Sequence, residues 1–81
     1  MIAFYNKYPE FQSTPFYLTG ESYAGKYIPQ FARRIIDYNN ANPPFKIPLV
    51  SCLIGDPFTS PIQQRTHMYV IAKGLDIVDK Y

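Results

Sequence analysis

Tryptophan is absent, cysteine and histidine occur once each, and charged residues make up only 17% of the chain. Each scarcity closes a route. A single cysteine, Cys52, permits no internal disulfide and says nothing about redox compartment. It sits in the apolar run Leu49 to Ile54, where a buried structural thiol is expected. Eight basic residues against six acidic ones leave a scattered net charge of +2, which argues against binding nucleic acid or a membrane surface. No apolar run is long enough to span a bilayer. Residues 1–7 have neither the basic start nor the apolar core of a secretion signal.

What is plentiful is aromatic side chain and proline. Eight Tyr and six Phe in 81 residues suggest a piece of a large, well-filled core, and eight Pro divide the chain into short elements. Residues 1 to 8 read as an amphipathic helix with Phe4, Tyr5 and Tyr8 on one side, stopped by Pro9. Residues 11 to 15 are turn-like, and Phe16 to Thr19 form a strand. Next comes a stretch with Ala24, Tyr27, Ile28, Phe31, Ala32, Ile35 and Ile36 at helical spacing. Pro29 falls inside it. The expectation is either a kinked helix over about 23–38 or a turn followed by a helix starting at Pro29.

Asn39 to Pro44 is a loop, and Leu49 to Ile54 reads as a strand buried on both faces of a parallel sheet. Ser60-Pro61-Ile62-Gln63 predicts a helix start with Ser60 and Gln63 as a capping box. That helix runs to about Lys73 with Gly74 as its C-terminal cap, and Asp76 opens one more. The fold class is α/β: a βαβ unit with flanking helices. Two strands cannot supply the covering layers that such a sheet needs, so residues 1–81 are read as an incomplete segment of a larger domain.

The chemistry concentrates in Thr19-Gly20-Glu21-Ser22-Tyr23-Ala24-Gly25. A serine flanked at two residues either side by Gly20 and Ala24, between a short strand and a helix, fits a nucleophile elbow. The turn is tight, so those positions must be small. Ser22 is the candidate nucleophile, and the backbone N–H of Tyr23, opening the helix, is the candidate oxyanion donor. Gly25 completes the small residues of the elbow and is the carbonyl on which the Pro29 ring would press. The plain alternative is a polar loop between strand and helix. Ser22, Asp56 and His67 occur in the order of a catalytic triad, but a helix after a parallel strand runs away from the catalytic edge and takes His67 with it.

The string Gly20 to Pro29 closely resembles the active-serine segment of the serine carboxypeptidases, an α/β-hydrolase family. Tyr8-Pro9-Glu10-Phe11 with Pro15-Phe16-Tyr17, Ile54 to Pro61, and Gly74 to Ile77 resemble neighbouring segments, so the likeness spans nearly the whole chain. It implies a partial α/β-hydrolase fold and a serine-type carboxypeptidase that cleaves C-terminal peptide bonds through an acyl-enzyme on Ser22. It further implies that Glu21 helps hold the substrate's terminal carboxylate, and that the acid and histidine of the triad lie beyond residue 81. The partners implied are peptide or protein C-termini and the rest of the hydrolase domain, with no metal or organic cofactor, in a lysosomal, vacuolar or secreted setting. One segment departs from the pattern. Asp56, Pro57 and Ser60 stand where that family usually shows Asn, Gly and Asp, and Pro57 has no N–H and a fixed φ. A non-catalytic, hydrolase-like binding or assembly module is the alternative function, and an acyltransferase on the same fold is a third.

Overall fold

A computed structural model describes residues 1–78. Helix α1 spans Ile2–Lys7 and ends at Tyr8, whose extended backbone (φ −128°, ψ 72°) is the conformation that a following proline imposes. Pro9 then begins a single 3-10 turn, Pro9–Phe11. Strand β1 covers Phe16–Glu21, helix α2 Ala24–Asn40, strand β2 Leu49–Gly55 and helix α3 Pro61–Gly74. The two strands pair in parallel, Tyr17 beside Ser51 through Glu21 beside Gly55, with a register irregularity after Phe16. The result is a small α/β piece, as the sequence implied.

Burial alternates along β1, with Phe16, Leu18 and Gly20 on the covered face. Helix α2 lies on that face. Tyr5, Ile35 and Ile47 form the core, and Phe16, Leu18, Tyr38, Phe45 and Leu49 pack round it. The Tyr5 ring meets Phe45 edge-on at 5.5 Å. The buried aromatic of α1 is therefore Tyr5, while Phe4 and Tyr8 stay exposed and meet at a tilt, 5.3 Å apart. Asn39 closes this core. Its side chain accepts from the Ile47 N–H at 2.8 Å and donates to the Ile47 carbonyl at 2.9 Å, pinning the loop end to α2.

Three expectations change, and one is decided between its two alternatives. Strand β1 continues through Gly20 and Glu21, because both pair with β2, which shrinks the turn to Ser22 and Tyr23. For α2 the first alternative holds: the helix spans Ala24–Asn40 and carries Pro29 in its interior, where the unmatched carbonyl is that of Gly25. Strand β2 is not buried on both faces: Val50 and Leu53 are more than half exposed, and Cys52 is exposed. Among the described residues only α2 covers the sheet, and it covers one side. The apolar stripe of α2 is likewise half covered, with Ala24, Ile28 and Ile35 buried and Tyr27 and Phe31 in the open.

The third change concerns α3. Gly74 is its last residue rather than its cap, and Asp76 adopts the left-handed conformation (φ 53°) beyond it. The Ile77 N–H reaches the Ala72 carbonyl and the Asp76 N–H reaches Lys73, so the end is a Schellman motif with Asp76 in the place glycine usually takes. Asp76 thus closes α3; any element it opens would run into residues 79–81, outside the described residues. Helix α3 packs on no other helix or strand among the described residues, and the molecule is 61 Å long. Its radius of gyration is 18.9 Å, against about 12 Å for a compact chain of this length.

Candidate active site

Ser22 sits at the carboxyl end of β1, exposed, with φ at 56°. A serine rarely adopts that left-handed conformation, and it persists only where surrounding bonds fix it. Three backbone bonds do so here. The Ser22 N–H donates to the Gly55 carbonyl at 2.9 Å, continuing the parallel ladder by one residue. The Ser22 carbonyl accepts from Gly25 at 3.0 Å and from Phe58 at 2.8 Å. The serine is thereby lifted out of the strand and aimed above the sheet edge.

The small residues have separate reasons. A Cβ on Gly20 would overlap the Cβ of Ala24 and press on Ile28, so strand and helix meet there with no room for a side chain. A Cβ on Gly25 would come within 2.8–2.9 Å of the backbone N, C and O of Phe58. Gly25 is therefore required by the chain that follows β2, a reason stronger than the Pro29 ring. The turn, the strand pairing and the helix start bring Gly20, Glu21, Ser22, Tyr23, Ala24 and Gly25 together. Glu21 is exposed at the end of β1, beside Gly55.

Among the described residues no hydrogen bond uses the Tyr23 N–H, which opens beside Ser22 at the start of α2. The Tyr23 ring is half exposed, edge-on to Tyr27 at 5.1 Å and stacked on Phe58 at 6.3 Å. It is not a core aromatic.

The segment after β2 forms the opposite wall. Asp56 takes a left-handed turn (φ 40°), a conformation that Asp tolerates better than most residues. Pro57 follows, and the N–H that reaches the elbow belongs to Phe58. The expected capping box is displaced by one residue. Ser60 makes no side-chain cap; its N–H donates to Gln64 Oε1 at 3.3 Å, while Gln64 Nε2 donates to the Pro57 carbonyl at 2.7 Å. Gln63 instead offers its carbonyl to His67 Nδ1 at 2.7 Å. His67 is exposed on α3 and shares with Asp56, Phe58, Gln64 and Met68 an open depression of about 590 Å³. Gln64 and Phe58 are the residues that sequence reasoning passed over; the doubled Gln after Ser-Pro was the signal for the first. Among the described residues no group of three or more His, Cys, Asp and Glu could hold a metal ion.

A parallel βαβ unit with a strained serine on its strand-to-helix turn is the class of structure seen here. The whole chain, residues 1–81, matches the family model described as serine carboxypeptidase. The protein named probable serine carboxypeptidase CPVL of Dictyostelium discoideum is 52% identical over 94% of this chain. Carboxypeptidase Y homolog A of Arthroderma gypseum is 42% identical over 91% of it, and serine carboxypeptidase 3 of Oryza sativa 40% over 96%. The chain belongs to the serine carboxypeptidase family. It spans only 13–16% of the length of these three relatives. No solved structure matches it. No helix among the described residues is long and apolar enough to cross a membrane.

Proposed function

We propose that residues 1–81 are the nucleophile-bearing segment of an α/β-hydrolase domain whose activity is serine-type carboxypeptidase. The observation that carries the reading is the left-handed Ser22 between β1 and α2, held by three backbone bonds, within a chain of this family. In the reaction, Ser22 Oγ attacks the last peptide carbonyl of a substrate while a histidine from outside this segment takes the Oγ proton. The carbonyl oxygen becomes an oxyanion and accepts from the Tyr23 N–H. The C–N bond breaks, the C-terminal amino acid leaves with that proton, and water then releases the acyl group from Ser22.

Glu21 recognises the substrate's terminal carboxylate in this reading. Two carboxyl groups share a hydrogen bond only with a proton between them, which favours peptide binding in acid. In this reading the base comes from outside the segment, and the segment alone is inactive. A lysosomal, vacuolar or secreted setting suits such an enzyme, and one relative, 36% identical over the whole chain, is named a venom serine carboxypeptidase in Apis mellifera. The alternative, a non-catalytic binding or assembly module, draws support from Asp56 and Pro57 and from the open apolar faces of β2 and α2.

Fluorophosphonate labelling of the full-length native protein tests the reading. The label is expected on Ser22 and is expected to vanish in Ser22→Ala. A folded native protein that refuses the label favours the binding module.

A further inference from the structure

Gln64 lies on the exposed surface of α3, away from the core, yet its amide makes two hydrogen bonds whose sense is forced. The Pro57 carbonyl can only accept and the Ser60 N–H can only donate, so Nε2 must face the first and Oε1 the second. The Pro57 carbonyl and the Phe58 N–H are opposite ends of one planar peptide group. Gln64 grips its oxygen at 2.7 Å, and its N–H donates to the Ser22 carbonyl at 2.8 Å. The Ser22 carbonyl, in turn, shares a peptide plane with the Tyr23 N–H, the group read above as the oxyanion donor. Two peptide groups in series thus join the Gln64 amide to the reacting centre.

We propose that Gln64 is a positioning residue of the catalytic centre, orienting the Tyr23 N–H through the Pro57–Phe58 and Ser22–Tyr23 peptide groups. The inference rests on the reading of Ser22 as nucleophile and Tyr23 as oxyanion donor. A planar peptide rotates as a unit, so an anchor at its oxygen fixes the direction of its N–H. Each bond in such a row also polarises the next, so the donor at the end is strengthened as well as aimed. Pro57 suits the first group: its locked φ and absent N–H leave the peptide little freedom except the twist that Gln64 holds. Gly25, lacking a Cβ, lets the Phe58 backbone come close enough to complete the row.

The test compares Gln64→Met and Gln64→Glu with wild type in the full-length native protein. Methionine keeps the length but loses both bonds. Glutamate keeps an acceptor for the Ser60 N–H and, when ionised, has no donor for Pro57. Hydrolysis of an N-blocked Phe-Leu dipeptide, the fluorophosphonate labelling rate at Ser22, and the melting temperature are measured together at a pH well above about 4.3. Both variants are expected to lose about tenfold or more in kcat and in labelling rate, with KM within about twofold, since small misplacements of a reacting group cost that much. The melting temperature of Gln64→Glu is expected to stay close to wild type, because glutamate keeps the shape of the side chain and its acceptor for the Ser60 N–H. Wild-type kcat and labelling in Gln64→Glu would overturn the proposal, as would a loss confined to KM or to melting temperature. Wild-type protein labelled at Ser22 with unaffected variants defeats the relay alone, whereas unlabelled wild-type protein defeats the nucleophile reading and the relay with it.

Discussion

Gly25→Ala sets two physical effects against each other, and the structure decides the sign. Gly25 is in the first turn of α2, where alanine would ordinarily help, since glycine in a helix costs up to about 1 kcal/mol relative to alanine. The added methyl, however, would lie 2.8 Å from the Phe58 nitrogen and 2.9 Å from its carbonyl carbon and oxygen. Ordinary contact begins near 3.4 Å, so the Phe58 backbone must retreat by about 0.6 Å. These are main-chain atoms, and no rotamer change can move them aside. A retreat of that size stretches the 2.8 Å bond from Phe58 to the Ser22 carbonyl to the edge of hydrogen bonding. Overpacking of this kind costs about 1–3 kcal/mol, and the lost bond about 1 more. Against at most about 1 kcal/mol of helix propensity, the net expectation is a loss of about 1–3 kcal/mol. Urea unfolding of the full-length protein measures it, with the fluorophosphonate labelling rate falling alongside. A Gly25→Ala protein as stable as wild type, or more stable, refutes the reasoning, because propensity would then have won.

Gly20→Ala should lose about 1–3 kcal/mol by the same measurement, since its methyl would overlap Ala24 where β1 meets α2; an unchanged midpoint would show that strand and helix can part at no cost. Asn39→Ala strips both partners from the Ile47 backbone and should lose about 1–3 kcal/mol. A change within about 0.5 kcal/mol would put Asn39 among ordinary surface positions. Glu21→Gln should flatten the acid preference for peptide substrates in the full-length protein, because an amide donates to the substrate carboxylate without needing a proton. A profile identical to wild type removes Glu21 from substrate recognition.

Much of the site's local form could be read from residues near one another in the chain. Ser22 between two small flanking residues, after a short apolar run and before a helical period, announced a tight strand-to-helix turn. Pro9 and Pro61 marked element boundaries through their fixed φ and missing N–H, and both elements begin or end where those prolines require. Element ends and burial were less legible, and β1 runs two residues further than its apolar run because Gly20 and Glu21 pair with β2. Cap assignments slipped by one or two residues, from Gln63 to Gln64 and from Gly74 to Asp76, because capping depends on where a helix starts and stops rather than on residue type alone. Burial of β2 was overstated, because an apolar run reveals a capacity to be covered and not the presence of a cover.

The order of elements, the α/β class and the turn at Ser22 follow from periodicities of two and 3.6 residues and from local backbone limits, all of them written along the chain. Why Gly25 must be glycine, which amide braces the elbow, and how the serine is held in a left-handed conformation come instead from contacts between distant segments. Those answers depend on Gly55, Phe58 and Gln64, residues more than thirty positions from the serine. They reach it because the parallel pairing of β1 with β2 sets both strand ends at one edge. Register between two strands belongs to neither strand alone, and so no reading along a single segment could supply it.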